Sequence, residues 1–263
     1  MQANIVRSEP SDLVDEVRSI IGEYPESMAW MAVGAKRIAH DYKLITERVP
    51  SGGRICDVGG GYSPFAMLCS AHGYDVTVID DFRDPWYEAV YATMAPIFER
   101  YGVRVLRENI LTSELFATQR FEAITLFHIL EHFHASPRPM LHTALRSLAP
   151  NGTLIIATPN CVNLRKRITV PLGLGKWSLF DAWYHEETFR GHVREPDVQD
   201  LRLIAEDLGL ESVTIIGRNY VGMRSRYPLI KQLAALADPV LRLVPSICSD
   251  IYVLGRRPSS AAT

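Results

Sequence analysis

The feature that most constrains this chain is a short apolar run ending in a glycine cluster: Arg54-Ile55-Cys56-Asp57-Val58 leads directly into Gly59-Gly60-Gly61-Tyr62-Ser63-Pro64. Three glycines do not continue a strand, so the chain must turn there. Pro64 to His72 then reads as a helix, with Ser63 as its cap and Gly73 as its stop. A strand, a glycine turn and a helix are the opening of a parallel α/β sheet, in which ligands bind outside the carboxyl ends of the strands. The alternation repeats downstream. Strands are expected at 75–79, 103–106, 123–127 and 153–157, with helices at 87–101 and 138–148. Five short strands separated by helices predict an α/β, doubly wound, mostly parallel sheet.

With 263 residues, 47% hydrophobic and 22% charged, the chain can bury a large core, and disorder, collagen and repeat arrays are excluded. Its 28 basic residues nearly balance 30 acidic ones, so no global field favours nucleic acid. No apolar run of 18 residues occurs, and the acidic first thirty residues are unlike a signal peptide. We therefore expect a cytoplasmic protein with no transmembrane segment. The four cysteines lack CxxC spacing, and Cys56 and Cys69 fall in apolar runs where a thiol packs as a small hydrophobe. Asn151-Gly152 before an apolar run reads as a turn.

The pattern divides the chain into an N-terminal helical cap (1–49), a cofactor-binding core (50–160), an irregular substrate loop or lid (161–195) and a C-terminal part of the core (196–263). The last part is read as a helix at 196–208, a strand at 212–216, a helical insertion at 229–243 and a strand at 250–254. Dimer packing, a substrate lid or membrane-surface contact could each use the insertion; with Lys231 and Arg242 as its only basic residues, membrane contact ranks last.

The glycine turn suits a nucleotide-like cofactor, and its spacing discriminates among them. An NAD-dependent dehydrogenase would need a third small residue at position 64, where backbone N–H groups face a pyrophosphate. Position 64 is proline, which has no N–H. A Walker loop is excluded because no Gly-Lys-Ser/Thr follows. The turn thus reads as the seat of an uncharged or cationic ligand. Taken with Asp80 at the end of the second strand, Phe121-Glu122-Ala123-Ile124 at the fourth and Leu148-Ala149-Pro150-Asn151-Gly152 before the fifth, the chain resembles the class I S-adenosylmethionine-dependent methyltransferases. That resemblance implies a seven-stranded sheet with an antiparallel last strand at 250–254. It also implies that Gly59 and Gly61 line the methionine part of S-adenosylmethionine and that Asp57 helps hold its amino group. Asp80 would take the ribose hydroxyls, with Asp81 the neighbouring alternative, and Asn109 would stand where the family often has an adenine-binding aspartate. Ser63 and His128 complete the cofactor-binding candidates.

Methyl transfer is an in-line displacement, so the protein must align the reactants and, for a hydroxyl acceptor, remove a proton. His128-Ile129-Leu130-Glu131-His132 follows the fourth strand, and positions i, i+3 and i+4 share one face of a helical turn. Glu131 and His132 are catalytic candidates, with His132 or His192, in Gly191-His192-Val193-Arg194, as the base. The segment is also similar to the Glu-x-x-Glu-His stretch of ubiquinone-pathway O-methyltransferases, which implies a divalent cation such as Mg held by His128, Glu131 and His132. In the irregular segment, Arg165-Lys166-Arg167 could recognise an anionic acceptor. Trp177, Phe180, Trp183, Tyr184 and Phe189 could pack on a ring or acyl chain, or seal a small core of their own. The expected reaction is O-methylation of a small molecule or saccharide. N- or C-methylation is the alternative, although the Asn/Asp-Pro-Pro-Tyr/Phe motif of nucleobase enzymes is absent. A homodimer is the expected assembly.

Overall fold

The computed structural model describes residues 10–83, 85–109, 112–113, 118–174, 178, 180–220 and 228–259. Its chain divides into two compact units, 1–109 and 110–263. The strands form one seven-stranded sheet and, numbered in chain order, lie side by side as 3-2-1-4-5-7-6.

In the first unit, helices α1 (Pro10–Ile21) and α2 (Ala35–Thr46), joined by a 3₁₀ stretch (Glu26–Gly34), precede β1 (Arg54–Val58), as the sequence led us to expect. Their apolar faces bury Val17, Ile20, Ile38 and Ile45, each burial contributing roughly 1.5–3 kcal/mol before entropy is counted. Then follow α3 (Pro64–Ala71), β2 (Asp75–Asp80), α4 (Pro85–Arg100) and β3 (Arg104–Arg107). β1 pairs in parallel with β2, and β2 with β3. Four of the five residues of β1 are buried, the mark of a parallel strand covered on both faces. The Cys56 and Cys69 thiols are buried in this core, and burial pushes both well above the usual thiol range, so they pack as hydrophobes.

The second unit holds β4 (Phe121–Phe127), a 3₁₀ turn (Leu130–His132), α5 (Arg138–Ser147), β5 (Leu148–Pro159), α6 (Leu164–Thr169), α7 (Phe180–Tyr184), α8 (Val198–Asp207), β6 (Glu211–Arg218), α9 (Pro228–Leu241) and β7 (Asp250–Arg256). β4 and β5 are parallel, whereas β7 runs antiparallel to both β5 and β6, so the sheet is mixed. β5 begins five residues before the expected strand. Its register with β4 shifts between Phe121 and Ala123, and Asn151 adopts a left-handed φ of 62°. The expected Asn151-Gly152 turn is therefore a bulge inside the strand. Asp197 caps α8 through a reciprocal pair of hydrogen bonds with Asp200.

Candidate active site

The glycine turn belongs to the first unit. Gly59 and Gly61 take positive φ angles of 67° and 51°, and the Gly59 N–H donates to the Ile79 carbonyl at 2.8 Å. Gly60 is required for a different reason: a Cβ there would lie 2.2 Å from Oδ2 of the buried Asp57. Ser63 caps α3 by accepting the Phe65 N–H at 3.3 Å, with Pro64 in the first turn. Asp80 closes the turn from β2, its Oδ2 accepting the Gly61 N–H at 3.0 Å and its Oδ1 the Phe82 N–H at 2.8 Å. Asp81 is exposed and turns to Arg83. The structure thus ties Asp80, not Asp81, to the turn. Asn109 stands half-buried two residues past β3. Two carboxylates beside a turn whose helix starts with proline suit ammonium and hydroxyl donors and repel phosphates.

The second cluster lies within the second unit. His128, immediately past β4, takes a φ of 57°, a conformation that costs a non-glycine residue roughly 1–2 kcal/mol and recurs at functional positions. Its Nδ1 is 3.6 Å from Glu131 Oε1 and its Nε2 is 3.9 Å from Asp250 Oδ1. Glu131 is buried and accepts from the Thr158 hydroxyl at 3.3 Å, while its main-chain carbonyl accepts the Val193 N–H at 2.7 Å. Burial raises its carboxyl above the usual carboxylate range against the pull of a backbone hydrogen bond and of His132 and His192.

The two histidines proposed as bases are neighbours. Their rings stand edge to face with centroids 4.9 Å apart. His132 Nδ1 meets the Arg190 carbonyl at 3.1 Å, and His192 Nδ1 meets Glu195 Oε1 at 2.7 Å. A carbonyl can only accept, so Nδ1 of His132 carries its proton, and the carboxylate fixes the same tautomer at His192. Both Nε2 atoms are then left as acceptors. One ligand atom from each of Glu131, His132 and His192 falls within 4.8 Å of the others. Among the described residues, this is the group that could hold a metal, with His192 in the place that spacing gave to His128.

Glu195 was missed by the sequence reading, which placed Lys166 in a run that could recognise an anionic acceptor. Both are buried, and the Lys166 ammonium pairs with Glu195 Oε2. Burial opposes ionisation of Glu195, but the hydrogen bonds from His192 and Lys166 outweigh it and hold the carboxyl below its ordinary range. His192 is raised, chiefly by its hydrogen bond to Glu195 and against the cost of burial. The expected anion-binding run is corrected accordingly: Lys166 points inward, and Arg167 donates to the Val162 and Ser246 carbonyls, leaving Arg165 exposed. Phe180, Trp183 and Tyr184 are exposed, with Phe180 stacked on Tyr184 at 4.9 Å, so they do not seal a core. Trp177 lies outside the described residues. His142 is half-buried on α5 and bonded to Asp207 at 2.8 Å.

The sequence model of a family described as a methyltransferase domain matches residues 32–215, more than half of the chain. The chain belongs to that family. It is a class I S-adenosylmethionine-dependent methyltransferase, and the dehydrogenase alternative falls. No curated protein matches. Among solved structures, this methyltransferase is similar to an S-adenosylmethionine-dependent methyltransferase of Archaeoglobus fulgidus, at 15% identity over 88% of this chain and 100% of the other, with a TM-score of 0.54. It is also similar to a cyclopropane-fatty-acyl-phospholipid synthase-like protein of Lactobacillus casei, at 15% identity over 94% and 98%, with a TM-score of 0.56. A third is the magnesium protoporphyrin IX methyltransferase of Synechocystis with S-adenosylhomocysteine bound, at 12% identity over 94% and 95%, with a TM-score of 0.54. Together they show the Rossmann-like methyltransferase fold.

Proposed function

We propose that this methyltransferase transfers the methyl group to a hydroxyl of a small molecule or saccharide, with His192 as general base. The observation that carries this reading is the 2.7 Å contact between His192 Nδ1 and Glu195 Oε1, with Lys166 on the carboxylate's other oxygen. A hydroxyl must lose its proton as it attacks, and this arrangement fixes the tautomer in which Nε2 can take it. S-adenosylmethionine supplies an electrophilic methyl group. Asp57 and Asp80 would hold its amino and ribose groups beside Gly59, Gly61 and Ser63, with Asn109 as a further contact. His132, held in the same tautomer by the Arg190 carbonyl, stands as the partner that passes the proton on. The buried Glu131 accepts from Thr158 and lies within reach of both histidines.

A second reading is favoured by the convergence of Glu131, His132 and His192: a divalent cation there would lower the pKa of the bound hydroxyl. Each histidine's Nδ1 is engaged by an acceptor, as in metal ligands generally. Two imidazoles and one carboxylate suit zinc or manganese better than magnesium.

The test is an acceptor panel with labelled S-adenosylmethionine, run with and without chelator. Replacing His192 with alanine should cut turnover by about 10²–10⁴-fold and leave S-adenosylhomocysteine affinity unchanged. A product methylated on nitrogen or carbon, or full turnover by the variant, overturns the base assignment. Turnover that chelator abolishes and zinc restores selects the second reading.

A further inference from the structure

Helix α9 exposes most of its large described side chains. Ala234, Ala237, Asp238 and Leu241 are half-buried, and Asp238 accepts from the Asn219 side-chain amide at 3.1 Å. The other large side chains described on it face solvent. Leu229, Leu233, Leu236 and Val240, with Leu243 just beyond the helix, form one stripe at spacings of four and three residues, each 58–79% exposed. Single exposed leucines are ordinary, but a continuous stripe on one helix marks a surface that meets something.

A second apolar segment projects from the same unit. Ile168, Val170, Leu172 and Leu174, at the end of α6 and in the turn after it, are 42–69% exposed. The two segments are joined at one fixed point: the Arg167 guanidinium donates to the Ser246 carbonyl at 3.0 Å, and the Asn160 side-chain amide donates to the same carbonyl at 3.0 Å.

Charge identifies the occupant. Residues 161–176 contain four basic residues, of which Lys166 is buried, and no acidic one; residues 218–243 contain five basic residues and one acidic one. Of these, Lys176, Arg224 and Arg226 lie outside the described residues and enter only as charge in the sequence. The whole chain has a formal net charge of -2, yet positive charge outnumbers negative in the two stretches of sequence that carry the exposed apolar segments, and among the described residues Arg165, Arg167 and Arg242 are exposed there. The sequence reading ranked membrane contact last because it counted the insertion alone. A second copy of the chain would bring like charge against like charge. An anionic bilayer offers both what the leucines and what the arginines lack.

We infer that α9 and the 168–174 segment form an interfacial docking surface for a negatively charged lipid bilayer. Among the described residues no helix is long and apolar enough to cross a membrane, so the contact is peripheral. The inference holds whichever acceptor is methylated, since its test needs no turnover. The purified full chain is sedimented with vesicles of phosphatidylcholine alone or with about one-third phosphatidylglycerol. We expect at least tenfold tighter binding to the anionic vesicles, released at roughly 0.5 M salt. The double variant Leu233→Asp/Leu236→Asp should lose this binding while S-adenosylhomocysteine affinity stays at the wild-type value, and Arg242→Glu should weaken it severalfold. Equal binding to both vesicles, no binding to either, or a dimer that the double variant dissociates in the absence of lipid overturns the inference; the last outcome assigns the stripe to a second copy.

Discussion

The glycine turn and the histidine cluster solve different problems with different parts of the chain. In the first unit, Asp57 and Gly59 to Ser63 are nearly contiguous, and only Asp80 comes from elsewhere, through backbone hydrogen bonds to Gly61 and Phe82. Its carboxylates are placed by main-chain geometry. In the second unit, Glu131, His132, Lys166, His192 and Glu195 come from three segments, and Lys166, Glu195 and His192 place one another through side chains. A site built on the main chain tolerates changes around it and fails when its glycines change. A site built of coupled side chains passes each change on to the next residue.

The largest effect that separates the two is expected at Lys166. Lys166→Met strands Glu195 in the interior with His192 as its remaining ionic partner, and removing one member of a buried pair costs about 3–5 kcal/mol. Thermal unfolding of the variant should show a fall of several degrees for each kcal/mol lost in a chain of this size. S-adenosylhomocysteine affinity, read in the folded variant, should stay within about twofold, because the turn is built from other residues. An unchanged melting temperature would show that the pair is not coupled to the fold.

Next in size is Asp80→Ala, which removes a carboxylate bonded to two backbone N–H groups and proposed for the ribose. Loss of charged hydrogen bonds worth about 2 kcal/mol corresponds to roughly a 30-fold weaker affinity for S-adenosylhomocysteine by calorimetry. Asp81→Ala serves as the control and should leave it unchanged. Equal losses at both positions would break the assignment of the turn to Asp80.

The same contrast explains what the sequence could and could not disclose. Strand, glycine turn and capped helix are written in consecutive residues, so β1 is recovered at 54–58 and α3 within one residue. The mixed sheet was legible through family resemblance, because antiparallel β7 between β5 and β6 follows from long-range pairing that no local pattern encodes. Lys166 was unreadable as an inward residue: between Arg165 and Arg167 it has the pattern of a solvated run, and only the fold brings Glu195 to it. Spacing paired His128 with Glu131 and His132. His128 does approach Glu131, at 3.6 Å, but the return of residues 190–195 past the 3₁₀ turn, seen in the Val193 N–H bond to the Glu131 carbonyl, makes His192 the third member of the group that converges on one point.

The smallest expected effect is the most discriminating. A base works in its neutral form, so kcat/KM should fall as pH drops through the pKa of His192, which the Glu195 hydrogen bond raises above the ordinary histidine value. Because the folded value is the higher one, His192 contributes stability fully below its unfolded pKa of about 6.5, and that contribution is lost as pH rises through the raised value. Activity therefore appears over the interval in which this contribution disappears. Glu195→Gln keeps an oxygen for the Nδ1 proton but removes the charge, so the acidic limb should move to lower pH while the plateau stays within about tenfold. Lys166→Met removes a charge that lowers His192, so its limb should move to higher pH. Opposite displacements of one limb by two neighbouring substitutions require that both act on the titration of His192; movement in the same direction, or of neither, would leave the cluster a structural brace and return the base to His132.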